Sequence, residues 1–423
     1  MPTDRWPRAR PASAPSRSEA ADRSHPVSTI FTEPPSSGRP RIALLTPSWG
    51  GAGEERWALR QVAGALALSW EIDVLTPQGS EPQRFRDGAV TVCEAGTAAP
   101  WQLAARRDLL LSMLRDRPAL SAAERHQLEA VLHEGQEQWD ALGGPLAEVE
   151  PDLIVMADHR EVGAARLIER VCPDVPVLLV PLAGRRAQPE DPYFSPVLEL
   201  AGAAAVFSQA EMELLGRARP GLPVHHVGLP LASDPSVRRE PHDVVGDAPC
   251  ALVMTGAPFG TANWPATLSK LLQLGFPGQA VVVDAADRLV VFRQGQERHA
   301  PAIRRGTDRR RLMAWAKTTV DLHPGGLYSR WALEALLSGS PIVVPAQSRA
   351  REHAEAGRGG LWFEGAGDLF WCVEALLDES THAILAAQGQ QYVQERYSGT
   401  SAFVERVEGS VRPLVAASSG GRT

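Results

Sequence analysis

Lysine is almost missing from this chain: of 43 cationic side chains only Lys270 and Lys317 are lysines, so a site that needs a cation must use arginine. Cysteine is scarce as well. Cys93, Cys172, Cys250 and Cys372 form no C-x-x-C spacing, which excludes a disulfide scaffold and a zinc site and reads as small buried apolar side chains in a reducing compartment. Positive charge is not in excess. A formal net charge of -7 leaves no overall basic surface for nucleic acid, and attraction to anionic lipid would have to be local. No run approaches the roughly 18 consecutive apolar residues of a spanning helix, and the N-terminus lacks the apolar core of a signal peptide, so the expected location is the cytoplasm. What remains is a chain of 423 residues, 44% hydrophobic, which is long enough for two cores and excludes a single small binding module.

Residues 1–39 are rich in Pro, Ser and Arg and bury too little to offset chain entropy, so they read as a disordered tail. Such a tail is a solvated extension or, functionally, a tether with weak peripheral contact to a lipid surface. At Arg41 the texture changes to Ile42-Ala43-Leu44-Leu45-Thr46, a short apolar run suited to a buried parallel strand, and a glycine turn follows. Trp57, Leu59, Val62, Ala63 and Leu66 then recur at helical spacing before Glu71-Ile72-Asp73-Val74-Leu75 returns as a strand. Ala89 to Val92, Leu153 to Met156, Val175 to Val180, Ala203 to Phe207 and Val224 to Val227 continue the alternation, which predicts right-handed βαβ units and a parallel sheet covered on both faces. Residues 101–147 read as a helical insertion, restarted at Ser121 and Glu124 after Pro118; it either borders the cleft or is an inert decoration.

The polar, proline-interrupted stretch 233–249 reads as a linker. A second alternating series follows: strand 250–255, helix 261–274, then strands at Ala280 to Val283, Leu289 to Phe292, Thr319 to Leu322 and Ile342 to Val344. The expected organisation is therefore an α/β chain with two Rossmann-like βαβ domains, 40–232 and 250–398, facing a central cleft, and a closing helix at 399–415. The carboxyl ends of the strands would face that cleft, where a nucleotide ligand meets a second substrate.

Two glycine clusters lie where such a ligand would sit. Ser48-Trp49-Gly50-Gly51-Ala52-Gly53 joins a strand to a helix, where unpaired amides and the helix dipole receive an anion or a sugar hydroxyl; it matches neither G-x-G-x-x-G nor the Walker pattern, and its glycines also serve simply to make the turn. The second runs from His323-Pro324-Gly325-Gly326-Leu327-Tyr328-Ser329 into a helix that Gly339 closes as a left-handed cap before Pro341 opens a strand. In that helix Glu334 is placed to accept hydrogen bonds from two ribose hydroxyls, and Arg330, one turn earlier, to offer a guanidinium to a phosphate. A solvated or capping glutamate is the plainer reading.

The run Leu333-Glu334-Ala335-Leu336-Leu337-Ser338-Gly339-Ser340-Pro341-Ile342-Val343-Val344 resembles the donor-site helix of the retaining nucleotide-sugar glycosyltransferases of family 4, which have the GT-B fold. Arg41 to Thr76, Ala204 to Ser208 with Val227 to Pro230, Gly360 to Phe363 and Arg396-Tyr397-Ser398 are similar to other segments of that family, so the likeness spans about residues 40 to 415. It implies a sugar transfer from a nucleotide diphosphate sugar to an acceptor hydroxyl, with retention, without metal or cofactor. It also implies a donor site at Gly256, Gly325, Gly326, Leu327, Tyr328, Ser329 and Glu334, a turn at Gly50, Gly51 and Gly53 facing acceptor and phosphates, and a closing helix that crosses back to the first domain.

The sequence departs from the family in three places. Gly326 stands where a first glutamate is usual, Thr255 to Asn263 holds no cation, and Val180 to Arg185 holds no histidine. Arg330, Arg185, Arg293 and the Arg304-Arg305, Arg309-Arg310-Arg311 group are the candidates to replace the missing charge, the last being equally a solvated face. His159 and His323 follow apparent strands; His159, at the cleft end of its strand, is the better acid or base, with a structural histidine as the competing reading. Two other functions stay open, a catalytically silent GT-B protein that partners another transferase and a sugar-nucleotide epimerase on the same fold.

Overall fold

The computed structural model describes residues 39–49, 54–79, 81–95, 121–182, 194–231, 250–254, 279–283, 289–293, 296–300, 306–322, 328–397 and 399–419. The expected tail up to residue 38, the linker, the helix 261–274, Arg185, Arg304, Arg305, His323 and the glycines at 50, 51, 53, 256, 325 and 326, with Leu327, lie outside these residues.

Fifteen strands are described: β1 Arg41–Leu45, β2 Glu71–Thr76, β3 Pro82–Asp87, β4 Val90–Ala95, β5 Leu153–Ala157, β6 Val177–Val180, β7 Ala203–Val206, β8 Val224–His226, β9 Cys250–Met254, β10 Gln279–Val283, β11 Leu289–Arg293, β12 Gln296–Ala300, β13 Thr318–Asp321, β14 Ile342–Pro345 and β15 Gly360–Phe363. They make two sheets, ordered β3-β4-β2-β1-β5-β6-β7-β8 and β12-β11-β10-β9-β13-β14-β15. The helices are α1 Glu54–Leu66, α2 Ala122–Asp140, α3 Gly143–Val149, α4 Val162–Val171, α5 Phe194–Leu200, α6 Gln209–Ala218, α7 Gly306–Trp315, α8 Arg330–Leu337, α9 Arg351–Ala356, α10 Ala366–Ala375, α11 Glu379–Arg396 and α12 Thr400–Ser419. None of the described helices is long and apolar enough to cross a membrane.

The apolar runs account for the centre of each sheet. Ile42–Leu45, Leu153–Ala157 and Val177–Val180 are buried along their whole length, as strands covered by helices on both faces must be. β6 begins two residues later than its apolar run because Pro176 has no N–H to give the ladder; its carbonyl instead accepts the amide of Ile154 at 2.9 Å. The sheets are parallel through their centres, as expected, and turn antiparallel only at the edges. β3 pairs antiparallel with β4 across a turn at Gly88 (φ +62°), and β11 and β12 extend β10 antiparallel. β3 is polar and largely exposed apart from Phe85, and its proline stands at the first position; an edge strand tolerates both features, and neither leaves a hydropathy signal.

In and just after the stretch expected as an insertion, α2 and α3 are described, and α2 packs on α4. The contact is close because Gly163 offers no side chain where Trp139 lies, and the Trp139 indole donates to the Glu161 carboxylate at 3.0 Å. Cys172 is buried, while Cys93 and Cys372 are only half-buried, which corrects their reading as buried side chains; all three are free, with burial pushing each thiol up.

The second domain returns to the first through Tyr397 and α12, which packs on α1, β6, β7 and β8 with Phe403, Val407 and Val411 buried. Tyr397 lies against Gly228, whose φ of +64° and missing side chain make room for the ring, and its carbonyl accepts the amide of Leu231 at 3.2 Å. Around it stand His226, His353 and Tyr392, with centroids 6.0, 5.6 and 5.7 Å away. His226 Nε2 donates to the Phe207 carbonyl at 3.2 Å; His353 Nε2 donates to the Tyr328 carbonyl at 3.4 Å and, in the neutral ring, its Nδ1 accepts the Tyr392 hydroxyl at 3.3 Å. Nearby, α9 caps a helix of the other domain. The Glu352 carboxylate accepts the amides of Gln209 at 2.9 Å and Ala210 at 3.4 Å, the first two of α6, whose N-cap Ser208 accepts the Glu211 amide while the Glu211 carboxylate accepts the amide of Phe207.

Burial pushes both His226 and His353 below the ordinary imidazole value, against the opposing pull of Glu352. A base whose folded pKa is depressed stabilises the fold above its unfolded value of about 6.5 and withdraws that stability as pH falls, because the unfolded chain takes the proton first. Urea unfolding should therefore show stability falling between pH 7 and pH 5, by up to about 1.4 kcal/mol per pH unit for each histidine, and His353→Gln should flatten the slope. A second expectation separates packing from helix propensity. Gly389→Ala, where a Cβ would meet Leu336 at 2.6 Å and Gly359 at 3.0 Å, should cost about 1–3 kcal/mol, whereas Gly409→Ala in α12, with nothing within 4 Å, should gain up to about 1 kcal/mol.

Candidate functional site

Each sheet reverses its winding at one point, between β1 and β5 in the first and between β9 and β13 in the second. Loops leaving the carboxyl ends of these strands border the cleft in an open α/β sheet. Of the candidates among the described residues, His159 follows β5, and Tyr328, Ser329, Arg330 and Glu334 lie on the segment and helix that follow β13, whereas Arg293 ends β11 and Arg309 to Arg311 lie on α7.

At the second reversal point the chain enters α8 at Arg330, as its sequence predicts. Ser329, the N-cap, is buried and sits at φ +52°, ψ +41° without a side-chain cap, a left-handed conformation that costs a non-glycine residue about 1 kcal/mol. Tyr328 is buried beside it, its ring 4.7 Å from that of Phe207 in the first domain. The far end of α8 closes as expected. Gly339 has φ +77°, its amide bonds to the Leu336 carbonyl at 3.0 Å, and the Ser340 amide bonds to the Ala335 carbonyl at 2.9 Å, a Schellman motif.

Glu334 is a buried carboxylate at 5% exposure. Its Oε1 accepts a hydrogen bond from Arg330 Nε at 2.8 Å, one turn back on the same helix. The guanidinium carbon of Arg330 in turn lies 4.1 Å from the centroid of the Trp57 ring, which α1 of the first domain supplies. The side chain expected to meet a phosphate is thus held by an indole face and a carboxylate edge, one from each domain.

Ser48 and Trp49, which precede the first glycine cluster in the sequence, are braced from α1. Arg56 Nε donates to Ser48 Oγ at 3.0 Å, and Arg60 Nη2 donates to the Trp49 carbonyl at 3.0 Å. The Trp49 indole donates to Asp87 at 2.8 Å, which ties the same segment to the β3–β4 hairpin.

His159 follows β5 and is buried. Its Nδ1 stands 2.7 Å from the Pro181 carbonyl, and its amide donates to the same oxygen at 2.9 Å. A carbonyl accepts only, so the neutral ring carries its proton on Nδ1 and its lone pair on Nε2. Asp158, in the left-handed region at φ +78°, is clasped by Arg160 through Nε at 2.9 Å and Nη2 at 2.6 Å. The Asp158–Glu161 turn is therefore fixed on both sides, by Arg160 and by the insertion's Trp139.

The structure brings Arg330 and Glu334 into direct contact, sets Tyr328 and Ser329 at the head of the same helix, and holds His159 from within the first domain. Of the other arginine candidates, Arg311 is exposed on α7, which accords with a solvated face. Sequence reasoning missed Trp57, which reads as one more apolar residue of α1, and Glu352, which reads as a charge in the Arg351–Glu355 run. Among the described residues no three of His, Cys, Asp and Glu come together as a metal site.

No protein-family model and no curated protein matches the chain. Solved structures do match it. Sucrose-phosphate synthase from Thermosynechococcus elongatus is 15% identical with a TM-score of 0.58, over 90% of this chain and 100% of its own. A UDP-forming α,α-trehalose-phosphate synthase from Burkholderia vietnamiensis is 11% identical with a TM-score of 0.64, over 90% and 99%. A trehalose-6-phosphate structure from E. coli bound with UDP-2-fluoro glucose is 9% identical with a TM-score of 0.61, over 89% and 99%. At such identities the likeness establishes the architecture: this chain has the GT-B fold of these glycosyltransferases, two Rossmann-like domains facing a cleft with the last helix crossing back to the first.

Proposed function

We propose that the chain is a cytoplasmic glycosyltransferase that moves a sugar from a nucleotide diphosphate sugar to an acceptor hydroxyl, with retention and without metal or cofactor. The observation that carries the proposal is Glu334: a buried carboxylate on the helix that follows the second reversal point, at a contact between the two domains. A carboxylate so placed accepts both hydroxyls of a ribose, and hydrogen bonds to a charged group in a partly dry site are the strong ones. In this reading Gly325, Gly326, Leu327, Tyr328 and Ser329 serve the diphosphate and sugar through their amides, Gly256 lines the donor side, and Gly50, Gly51 and Gly53 face the acceptor and phosphates. Arg330 lies beside the departing phosphate.

The departing diphosphate takes the proton of the incoming hydroxyl on the same face of the sugar, and the protein's share is to stabilise the charge that develops there. His159, held through Nδ1 on the Pro181 carbonyl just after β5, is the acid or base of this reading. The solved structures named for UDP and UDP-2-fluoro glucose make UDP-glucose the first donor to try, and the synthase names make sugar phosphates the first acceptors. A silent GT-B protein is the alternative, favoured by Gly326 in place of a glutamate and by the engagement of Arg330 with Glu334 and Trp57.

A panel of UDP-, GDP- and dTDP-sugars, scored by nucleotide release and by calorimetry, separates the two. Glu334→Gln, which keeps an acceptor for Arg330, should weaken binding of the active donor about 10- to 100-fold while the protein stays folded. Equal affinity in wild type and variant would sink the donor role, and release of nucleotide from any sugar rules out a silent protein.

A further inference from the structure

Trp57 lies at the start of α1, on the helix whose Arg56 and Arg60 grip Ser48 and Trp49. Its ring carries Arg330 of the other domain at 4.1 Å, while Glu334 holds the same guanidinium through Nε. A guanidinium meets a carboxylate with its edge and an indole with its face, so the two partners together set both its position and its plane. They differ in one respect. Glu334 sits on Arg330's own helix and stays within reach whatever the domains do, whereas Trp57 is in reach only when the first domain is against the second.

We infer that Trp57 is a positioning residue for the donor site: by fixing the plane of Arg330 it aligns the Glu334 carboxylate, and it makes that alignment depend on closure of the cleft. The inference rests on the donor reading of Glu334. It also assigns a use to the chain's preference for arginine, since a lysine ammonium has no plane for an indole to set.

The test uses the full chain and calorimetric titration with UDP-glucose and GDP-glucose. The proteins compared are wild type, Trp57→Leu, Trp57→Met, Trp57→Phe, Arg330→Gln, the Trp57→Leu/Arg330→Gln double variant and Glu334→Gln, each with a urea unfolding curve. Trp57→Leu should weaken donor affinity about tenfold, and Trp57→Phe, which restores an aromatic face, should recover most of it. In the Arg330→Gln background the same leucine should change affinity less than about twofold, because the guanidinium it acts through is gone. Trp57→Met stands in should the leucine variant fail to fold.

A purely structural tryptophan would cost the same factor in both backgrounds, and that result overturns the inference. So does a donor affinity that neither Trp57→Leu nor Trp57→Met alters. Failure of the donor reading looks different: wild type that binds neither nucleotide sugar, or Glu334→Gln that binds as well as wild type, overturns that reading and the role of Trp57 with it.

Discussion

The two halves of this molecule meet around one ring. Tyr397 ends the second domain's long helix, turns the chain back toward the first, and is almost wholly buried between Gly228, His226, His353 and Tyr392. Gly228 favours it twice over: its left-handed backbone suits glycine, and a Cβ there would press on the ring at 3.2 Å. Once that ring is seated, α12 lies on the first sheet, with Arg406 on the Val227 carbonyl and Glu408 on Ser69, and the two sheets have a defined relation. The contacts at the cleft depend on it: Tyr328 on Phe207, Glu352 on the head of α6, and Arg330 on Trp57. None of these is large by itself. They are short-range and directional, so they persist only while the scaffold keeps both partners in register.

Arginine does most of the cross-bracing. In the sequence its near monopoly over lysine reads as a doubt about where a diphosphate would find its cations. In the folded protein several arginines serve as braces: Arg56 and Arg60 on Ser48 and Trp49, Arg160 around Asp158, Arg84 on the buried Asp73, and Arg330 between an indole and a carboxylate. A planar fork that binds through its edge while its face packs suits this duty better than an ammonium.

Much of the frame was legible because it depends on local rules. Leu153 to Met156 and Ile342 to Val344 are short and apolar without alternation, which fits a strand covered on both faces, and both are such strands. Gly339 announced a left-handed cap and Pro341 a strand start, and both hold. The edge strands were not legible. β3 and β12 are polar, and their pairing partner, not their composition, makes them strands. His226 and His353 likewise gave no signal, because the rings and carbonyls that enclose them, Phe207 and Tyr397 for His226 and Tyr328, Tyr392 and Tyr397 for His353, are distant in sequence.

For the candidate site the division is the same. Glu334 and Arg330 stand out in the sequence because one helix fixes their spacing, and a one-turn separation places their side chains together wherever that helix goes. Trp57 is 273 positions from Arg330, and nothing local to either residue requires their contact. The sequence by itself determined the doubled βαβ frame, the capped helix α8 and its pair of charges, since periodicity, caps and turns act over a few residues. Only the tertiary structure decided which residues of one domain meet which of the other, because that choice is made by the packing of whole surfaces at a cleft.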